Sequence, residues 1–415
     1  MSLTALVGRG SLVVCVGPGG VGKTTVSAAL GLAAARAGRK TLVLTIDPAR
    51  RLADALGLDG LDDTIRRVPL ERLSQGEGEG DPSSSGGSLW AAMVDTGASY
   101  DALIERIAPD EETKARVLAN RVYQAVSRSL SRSHAYVAME RLYDAIEHGG
   151  YDLVVLDTPP ARNALDILDA PGHLASFLDG RVVSWFIPSA DKPSGLGARL
   201  LAKGGEVATG LLARVTGQTL LDEIIAFLTV FASMREGFIA RAQRVQEILR
   251  DRDTAFVLVS SASPSSADDA AWLRDDLLRR RVPVHAVVFN QSFVPVDPRA
   301  PHQLVLRLPP ADVEAQVRAL VRTLDPALDP ALDEAEGLQV AQRMRALREE
   351  AVAENQRFGR IVDGLVAELP SECHRVRVPR LDDEVRDLPG LARLADLLLA
   401  GEQPRPPAGP SSDRP

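Results

Sequence analysis

The segment CVGPGGVGKTT, residues 15–25, predicts the fold of the chain. It contains the phosphate-loop pattern G-x-x-x-x-G-K-[ST]. An apolar run, SLVVCVG (residues 11–17), precedes it, and a helical pattern over residues 23–37 follows it and ends at Gly38. A strand that leads through a glycine-rich loop into a helix directs backbone N–H groups and the positive end of the helix at phosphate. The context therefore favours a nucleotide-binding loop over a glycine-rich turn.

The residue types of this loop each suit a phosphate-binding role. The glycines let the backbone approach phosphate oxygens closely, and Lys23 is expected to bind the β- and γ-phosphates. The hydroxyl of Thr24 is expected to bind Mg²⁺. The residues that we expect to contact the nucleotide are Gly17, Gly19, Gly20, Val21, Gly22, Lys23, Thr24, Thr25 and, from a later strand, Asn290.

Further apolar runs, each ending at a polar residue, predict the remainder of a sheet. They cover residues 39–47, 89–95, 151–157, 254–260 and 282–290. Strand, loop, helix and strand follow one another within the first fifty residues, which implies parallel strands with a right-handed crossover. We therefore predict an α/β fold with a mostly parallel sheet, buried on both faces, and a ligand at the carboxyl ends of its strands.

Helical segments at about residues 100–147 and 163–250 separate these strands, and we interpret them as one inserted helical subdomain. A proline-rich C-terminal tail is expected to be disordered. The predicted nucleotide-binding core comprises residues 10–98, 150–168 and 252–398, the subdomain residues 99–149 and 169–251, and the tail residues 401–415.

Three polar residues at the ends of predicted strands are candidates for the chemistry. Asp47 either orients and deprotonates a water aimed at the γ-phosphate or caps a helix that starts at Pro48. Asp157 ends LVVLD, the pattern of the acidic residue that holds Mg²⁺ through water, although a turn aspartate has the same context. Asn290 either pairs with the edge of a purine or caps its strand.

Composition excludes several classes of protein. A net charge of −8 does not favour a nucleic-acid partner. Two distant cysteines, Cys15 and Cys373, exclude a disulfide scaffold and a cysteine-rich zinc site, and the six histidines have no ligand spacing. The most apolar segment, residues 220–234, is shorter than the ~20 residues of a membrane span. We therefore expect a cytoplasmic protein.

Several blocks together resemble the ArsA-type family, the arsenite-pump and tail-anchored-protein-targeting ATPases. GPGGVGKTT is similar to the family's phosphate loop, TIDPARRLADALG to its switch I block STDPAHNLSDAF, and YDLVVLDTPP to its switch II block YDxIVxDTAP. Three further segments also resemble blocks of the family: LWAAMVDTGASYD, VFNQ and VPRLDDEVRDLPGLARLA. The blocks occur in order from about residue 12 to 398, so the resemblance covers nearly the whole chain.

The resemblance implies a Mg²⁺-dependent ATPase that works as a nucleotide-sandwich dimer and moves its helical subdomain with the nucleotide state. In that scheme Asp47 activates the attacking water and acts with Lys23 in catalysis. Asp157 lies near Mg²⁺, which Thr24 also binds, and Asn290 recognises adenine. The nucleotide is then ATP, which the loop alone does not distinguish from GTP.

Departures from the family pattern bear on the expected partner. The family's signature lysine, which reaches across the dimer to the partner's phosphates, is replaced by Pro18. Arg162 and Asn163 replace a glycine and a histidine of switch II. The zinc-binding CxxC and the cysteine cluster for arsenite are missing, so we expect neither a zinc nor an arsenite site.

These features leave three functional hypotheses. The first is an ATPase in a heterodimer with a related ATPase that carries the signature lysine, or in a homodimer with slow turnover. The second is a regulatory subunit that binds ATP with little turnover. The third is a carrier of hydrophobic client segments or membrane proteins, with apolar residues 196–212 and 220–231 lining a groove, although ordinary helix packing explains them as well.

Overall fold

The computed structural model describes most of the predicted core and part of the predicted subdomain. The described residues are 3–46, 51–75, 86–94, 104–105, 108, 110–121, 123–124, 134–160, 165, 167–168, 223, 235–261, 263–292, 334–381, 384–400 and 402–403.

A nine-stranded sheet forms the centre of the described part of the chain. Its strands follow the order β3-β4-β2-β5-β1-β6-β7-β8-β9, and all neighbours from β4 to β8 are parallel. Only the short edge strands β3 and β9 pair in the antiparallel sense. The strands are β1 (Leu12–Val16), β2 (Lys40–Thr45), β3 (Arg66–Arg67), β4 (Ser88–Met93), β5 (Leu153–Asp157), β6 (Thr254–Ser261), β7 (Val284–Ser292), β8 (His374–Pro379) and β9 (Glu402–Gln403).

Helices cover both faces of this sheet. Successive side chains of a strand point to opposite faces, so β1 contributes Val13 and Cys15 to one core and Leu12, Val14 and Val16 to the other. The helices are α1 (Leu3–Arg9), α2 (Lys23–Arg36), α3 (Arg51–Ala55), α4 (Glu111–Ala119), α5 (His134–Glu147), α6 (Arg235–Leu249), α7 (Pro264–Arg279), α8 (Glu334–Val366) and α9 (Leu388–Ala400), with a 3₁₀ turn at Leu70–Gln75.

The topology brings the carboxyl ends of β2, β5 and β1 together at the phosphate loop. β1 lies in the middle of the sheet, between β5 and β6, and the chain crosses from β1 over β5 to form β2. The strand order reverses beside β1, because β2 and β4 lie on one side of it and β6 to β8 on the other. Open α/β sheets bind their ligands in the crevice at such a point.

The predicted α/β fold with a mostly parallel sheet is confirmed. The apolar runs predicted as strands correspond to β1, β2, β4, β5, β6 and β7. The sequence analysis did not identify β8, whose buried Val376 and Val378 alternate with Arg375 and Arg377. β9 lies in the segment 401–415 predicted to be disordered, and the rest of that segment lies outside the described residues.

Part of the predicted helical subdomain is described. Helices α4, α5 and α6 fall within its two segments, and α5 packs against α6. The apolar stretches 196–212 and 220–231, considered for client binding, lie outside the described residues except for position 223. Among the helices that the structure describes, none is long and apolar enough to cross a membrane.

Gly31 allows α2 to pack closely on the sheet, and its replacement tests that packing. A β-carbon at this position would lie 2.4 Å from Cγ2 of Val43, a stiff β-branched side chain in the core. We expect Gly31→Ala to lower the free energy of unfolding by about 1–3 kcal/mol, although alanine favours a helix.

Gly359 in α8 provides the matched control, because nothing lies within 4 Å of a β-carbon there. We expect Gly359→Ala to raise the free energy of unfolding by up to about 1 kcal/mol. Denaturant unfolding of both variants measures the difference. A stabilising effect of Gly31→Ala would contradict the close packing of α2 on β2.

Candidate nucleotide-binding site

The loop between β1 and α2 has the backbone of a phosphate cradle. Gly20 and Gly22 have positive φ angles of 77° and 84°, where residues other than glycine are strained. Gly17 passes so close to β6 that a β-carbon would lie 2.1 Å from the carbonyl oxygen of Val259. A larger residue at any of these three positions would therefore strain the backbone or clash with β6.

The N-terminus of α2 opens onto this loop. Gly22 occupies the N-cap position, and no side chain caps the helix. The first turn carries no acidic residue but begins with Lys23, Thr24 and Thr25. Uncapped N–H groups and the positive end of the helix dipole attract an anion. Because Gly19 and Gly20 are exposed, an anion can reach the loop from solvent.

Lys23 is held within the loop. Its side chain is 7% exposed, and its Nζ donates a hydrogen bond of 2.9 Å to the carbonyl oxygen of Pro18. The ring of Pro18 is itself buried. Pro18 thus contributes its carbonyl group to the loop, and the ammonium group of Lys23 remains there.

Asp157 connects the loop to two strands. This carboxylate at the end of β5 is fully buried, and its Oδ2 accepts hydrogen bonds from the Thr24 hydroxyl at 2.7 Å and the Thr45 hydroxyl at 2.9 Å. Thr45 is the register partner of Asp157 in the parallel pair of β2 and β5. The hydroxyl and carboxylate predicted to hold Mg²⁺ are therefore adjacent in the structure.

Three hydroxyl residues around Asp157 did not enter the sequence predictions. Besides Thr45, they are Ser27, whose Oγ lies 3.4 Å from Asp157 Oδ1, and Thr158, whose hydroxyl donates to the carbonyl oxygen of Cys15 at 2.7 Å. All three are at most 1% exposed. The sequence places Thr45 and Thr158 near the ends of apolar runs, but their hydrogen-bond partners depend on strand register, which the sequence alone does not show.

Asn290, at the far end of β7, contacts the phosphate loop from the opposite side. Its Nδ2 donates a hydrogen bond of 2.9 Å to the carbonyl oxygen of Val21 and lies 2.4 Å from the position of a β-carbon on Gly22. Since the partner is a carbonyl oxygen, the amide must present its NH₂ group to the loop. The acceptor Oδ1 is therefore the atom of Asn290 left to point elsewhere.

Asp47 and the next three residues of the switch I block, 48–50, lie outside the described residues. The residue before Asp47 is placed, because the Ile46 amide donates to the carbonyl oxygen of Asp157 at 3.1 Å. This contact continues the pairing of β2 and β5 up to the position where Asp47 follows. Among the side chains that the structure describes, no group of three or more His, Cys, Asp or Glu residues could hold a metal ion.

Cys15 lies at the carboxyl end of β1, directly beneath the loop. It is fully buried, and its register partner in β5 is Asp157. Burial raises the pKa of the thiol from 9.0 to about 12, a hydrogen bond with Ser27 lowers it in part, and the charge of Asp157 raises it further. The thiol therefore stays protonated in the folded chain at neutral pH.

Comparison with known proteins agrees with this geometry. Residues 11–188 match the family model of the anion-transporting ATPases. The chain is similar to the ATPase get3 of Aspergillus terreus, with 27% identity over 71% of this chain and 78% of that protein. It is also similar to the ATPase ARSA1 of Chlamydomonas reinhardtii, with 24% identity over 68% of this chain and 35% of the relative.

A third relative is an uncharacterised protein of Streptomyces coelicolor, with 30% identity over 62% of this chain and 56% of that protein. The chain thus spans most of the length of the Aspergillus relative. It spans about a third of the Chlamydomonas relative and somewhat over half of the Streptomyces relative. The family match includes β1, the phosphate loop, β2 and β5, which together place the described site residues other than Asn290.

The raised pKa of the Cys15 thiol predicts a loss of stability at alkaline pH. Above about pH 9 the thiol ionises in the unfolded chain but keeps its proton in the folded chain until about pH 12. Between these limits the free energy of unfolding falls as pH rises, by up to about 1.4 kcal/mol per pH unit for this group. Below pH 9 the contribution is fully present.

Urea unfolding of the original chain and of Cys15→Ala at pH 8, 9 and 10 measures this effect. The other groups titrate in both proteins, so the difference between the two pH profiles reports Cys15. We expect the variant to lose less stability above pH 9. Parallel profiles across that range would show that the thiol is not protected from ionisation.

Proposed function

We propose that the chain, whose residues 11–188 match the family model of the anion-transporting ATPases, binds ATP with Mg²⁺ and hydrolyses it as one half of a nucleotide-sandwich dimer. The observation that carries the proposal is the contact of the phosphate-loop Thr24 hydroxyl with the buried Asp157 carboxylate, 2.7 Å apart. This pair adjoins an uncapped helix N-terminus and the ammonium group of Lys23. The groups proposed to bind phosphate and the groups proposed to bind Mg²⁺ therefore lie next to each other.

The residues of the site fit MgATP. The cradle has no room for a side chain at Gly22, where a β-carbon would meet Asn290, so the backbone N–H groups face the ligand directly. Thr24 and Asp157 offer hydroxyl and carboxylate oxygens, the hard donors that Mg²⁺ prefers. When bound, the ion would neutralise charge that develops on the phosphate oxygens. Phosphates and water would complete its coordination.

We propose that Lys23 exchanges its hydrogen bond to the carbonyl oxygen of Pro18 for one to a phosphate oxygen. In the structure its ammonium group donates to the carbonyl oxygen of Pro18. A phosphate oxygen is a stronger, charged acceptor at the same loop, and hydrogen bonds between charged groups are roughly twice as strong as neutral ones. The side chain is already anchored near its binding position, which reduces the conformational entropy lost on binding.

Asn290 supports ATP over GTP. Its NH₂ group donates to the phosphate loop, so the acceptor Oδ1 is the atom proposed to meet the base. Adenine carries an amino group at position 6, which donates a hydrogen bond, whereas guanine carries an oxygen there, which accepts one. We propose that Asn290 Oδ1 accepts from the adenine amino group and repels the oxygen of guanine.

Asp47 is the proposed group that orients and deprotonates the attacking water. It follows Ile46, whose amide contacts the Asp157 backbone, so the chain enters switch I beside the Thr24–Asp157 pair. A carboxylate that follows β2 there is near the γ-phosphate end of the site. This role rests on the position of Ile46 and on the family resemblance.

The nucleotide state is proposed to reach the helical subdomain through α5. Arg141 of α5 forms an ion pair with Asp63 in the loop after α3, with 2.9 Å between Arg141 Nε and Asp63 Oδ1. Glu140 on the same helix is buried and pairs with Arg241 of α6 at 3.2 Å. Because α3 lies within the switch I block and precedes Asp63, we propose that a shift of this block moves both helices.

Pro18 is the reason for proposing that a second ATPase chain completes the site. A lysine at this position would reach the partner's phosphates, and proline carries neither a charge nor an N–H donor. This chain retains its own phosphate-binding groups but cannot supply that lysine. We propose that a related ATPase with the signature lysine completes its site in a heterodimer, and a slow homodimer is the competing arrangement. Pro18 equally favours a regulatory subunit with little turnover as the second function.

Replacement of Asn290 tests base recognition. We expect Asn290→Ala to weaken ATP binding about tenfold, the worth of one or two hydrogen bonds, and to leave GTP binding equal or stronger, because the repulsion of the guanine oxygen is removed. Ser292→Ala is the matched control on the same strand, because that hydroxyl bonds to Val378 and not to the loop. Calorimetric titration with ATP and GTP measures both affinities. An equal loss for ATP and GTP would show that Asn290 acts only by anchoring the phosphate loop.

Introducing the missing lysine tests the dimer. We expect Pro18→Lys to raise steady-state ATP hydrolysis at least about tenfold, since a cation supplied across an interface contributes 10³ or more in related systems. Pro18→Ala removes the ring without adding charge and should leave the rate low. Adding Lys23→Ala to Pro18→Lys should abolish the gain. An equal rise with Pro18→Ala, or no rise at all, would contradict a cross-interface role of this position.

A further inference from the structure

We propose that Thr45 is a positioning residue for the magnesium site, holding the Asp157 carboxylate in the orientation in which it meets Thr24. The inference rests on the proposed function, since it assigns a role at the proposed MgATP site. Thr45 ends β2, on the strand that leads into switch I, whereas Thr24 and Asp157 belong to α2 and β5. The three side chains come from three separate elements.

The geometry places both hydroxyls on one oxygen. Asp157 Oδ2 accepts from Thr24 at 2.7 Å and from Thr45 at 2.9 Å. A carboxylate held by one hydrogen bond can rotate about its Cβ–Cγ bond, but two donors from different elements fix the plane of the group. Thr45 thereby determines which Asp157 oxygen faces Thr24.

Thr45 itself has little freedom. It is 1% exposed and lies between β4 and β5, where its backbone pairs with strands on both sides. Its β-branched side chain has few allowed rotamers, so the hydroxyl direction follows from the strand. As the register partner of Asp157, it projects to the same face of the sheet.

Ser27 is a weaker restraint on the same carboxylate. Its Oγ donates to the carbonyl oxygen of Lys23 at 2.9 Å and lies 3.4 Å from Asp157 Oδ1. A serine hydroxyl has one proton, and the shorter, intrahelical bond uses it. Thr45, in contrast, restrains the carboxylate from outside α2.

Orientation of this carboxylate matters for the ion. Partners that fix the ligands of a metal ion commonly change its affinity 10- to 100-fold when they are removed, because the ligands must then be ordered on binding. Mg²⁺ also demands near-ideal octahedral geometry and gives up its waters reluctantly. A carboxylate that is already fixed beside Thr24 can accept from the ion's waters without reorganising.

The test measures how ATP affinity depends on Mg²⁺ concentration. Thr45→Val keeps the size and branching of the side chain but removes the hydroxyl. We expect it to raise the half-saturating Mg²⁺ concentration about tenfold and to leave ATP binding in EDTA unchanged. Thr45→Ser retains a hydroxyl and should restore the original Mg²⁺ dependence.

Thr41→Val is the matched control for burial and strand. Thr41 is also a fully buried threonine of β2, four residues away, and its hydroxyl lies 3.5 Å from the Arg39 carbonyl oxygen. It should destabilise the strand comparably without altering the Mg²⁺ dependence. Thermal unfolding of all variants, measured beside the titrations, checks that each protein is folded.

Two results would overturn the assignment, and they differ from failure of the proposed function. If ATP binding by the original chain depends on Mg²⁺ and Thr45→Val keeps the same half-saturating concentration, Thr45 does not position the site. If Thr45→Val loses ATP binding equally in EDTA, its role is only structural. If the original chain shows no Mg²⁺-dependent ATP binding, the proposed function itself fails.

Discussion

The buried carboxylate of Asp157 is the group on which the rest of the site depends. Through it, β5 is joined to α2 by the Thr24 hydroxyl and to β2 by the Thr45 hydroxyl. A buried charge is costly unless hydrogen bonds satisfy it. A shift of these three elements relative to one another would break hydrogen bonds to the buried charge and would therefore be unfavourable. The phosphate loop, the end of β2 and the end of β5 thus form one unit around Asp157 Oδ2.

In the proposed function, this unit supplies local groups for MgATP, and a partner chain supplies the missing lysine. Lys23, Thr24 and Asp157 all lie within one chain and contact the loop or each other. Pro18 lacks the side-chain charge of a lysine, and its carbonyl oxygen accepts a hydrogen bond from Lys23. Binding of MgATP and completion of catalysis are thus separable in this account: the first belongs to the chain, and the second to the pair of chains.

Much of the fold and part of the site could be predicted from the sequence. Buried parallel strands appear as continuous apolar runs. Lys23 and Thr24 were proposed from the phosphate-loop pattern, and Asp157 and Asn290 from their places at the ends of such runs. Thr45 could not be identified in this way, because its role arises from its register with Asp157, more than a hundred residues later. β8 was missed because charged arginines interrupt its apolar pattern, and the short β3 and β9 have too few residues for any pattern.

The most direct test of the account is phosphate release per chain in the presence and absence of a partner. The partner would be a related ATPase with the loop GKGGVGKT whose last lysine is replaced by alanine, so that all turnover comes from the site of this chain. The account predicts slow release by the chain alone and a large increase on mixing. Full turnover by the chain alone, unaffected by the partner, would contradict it.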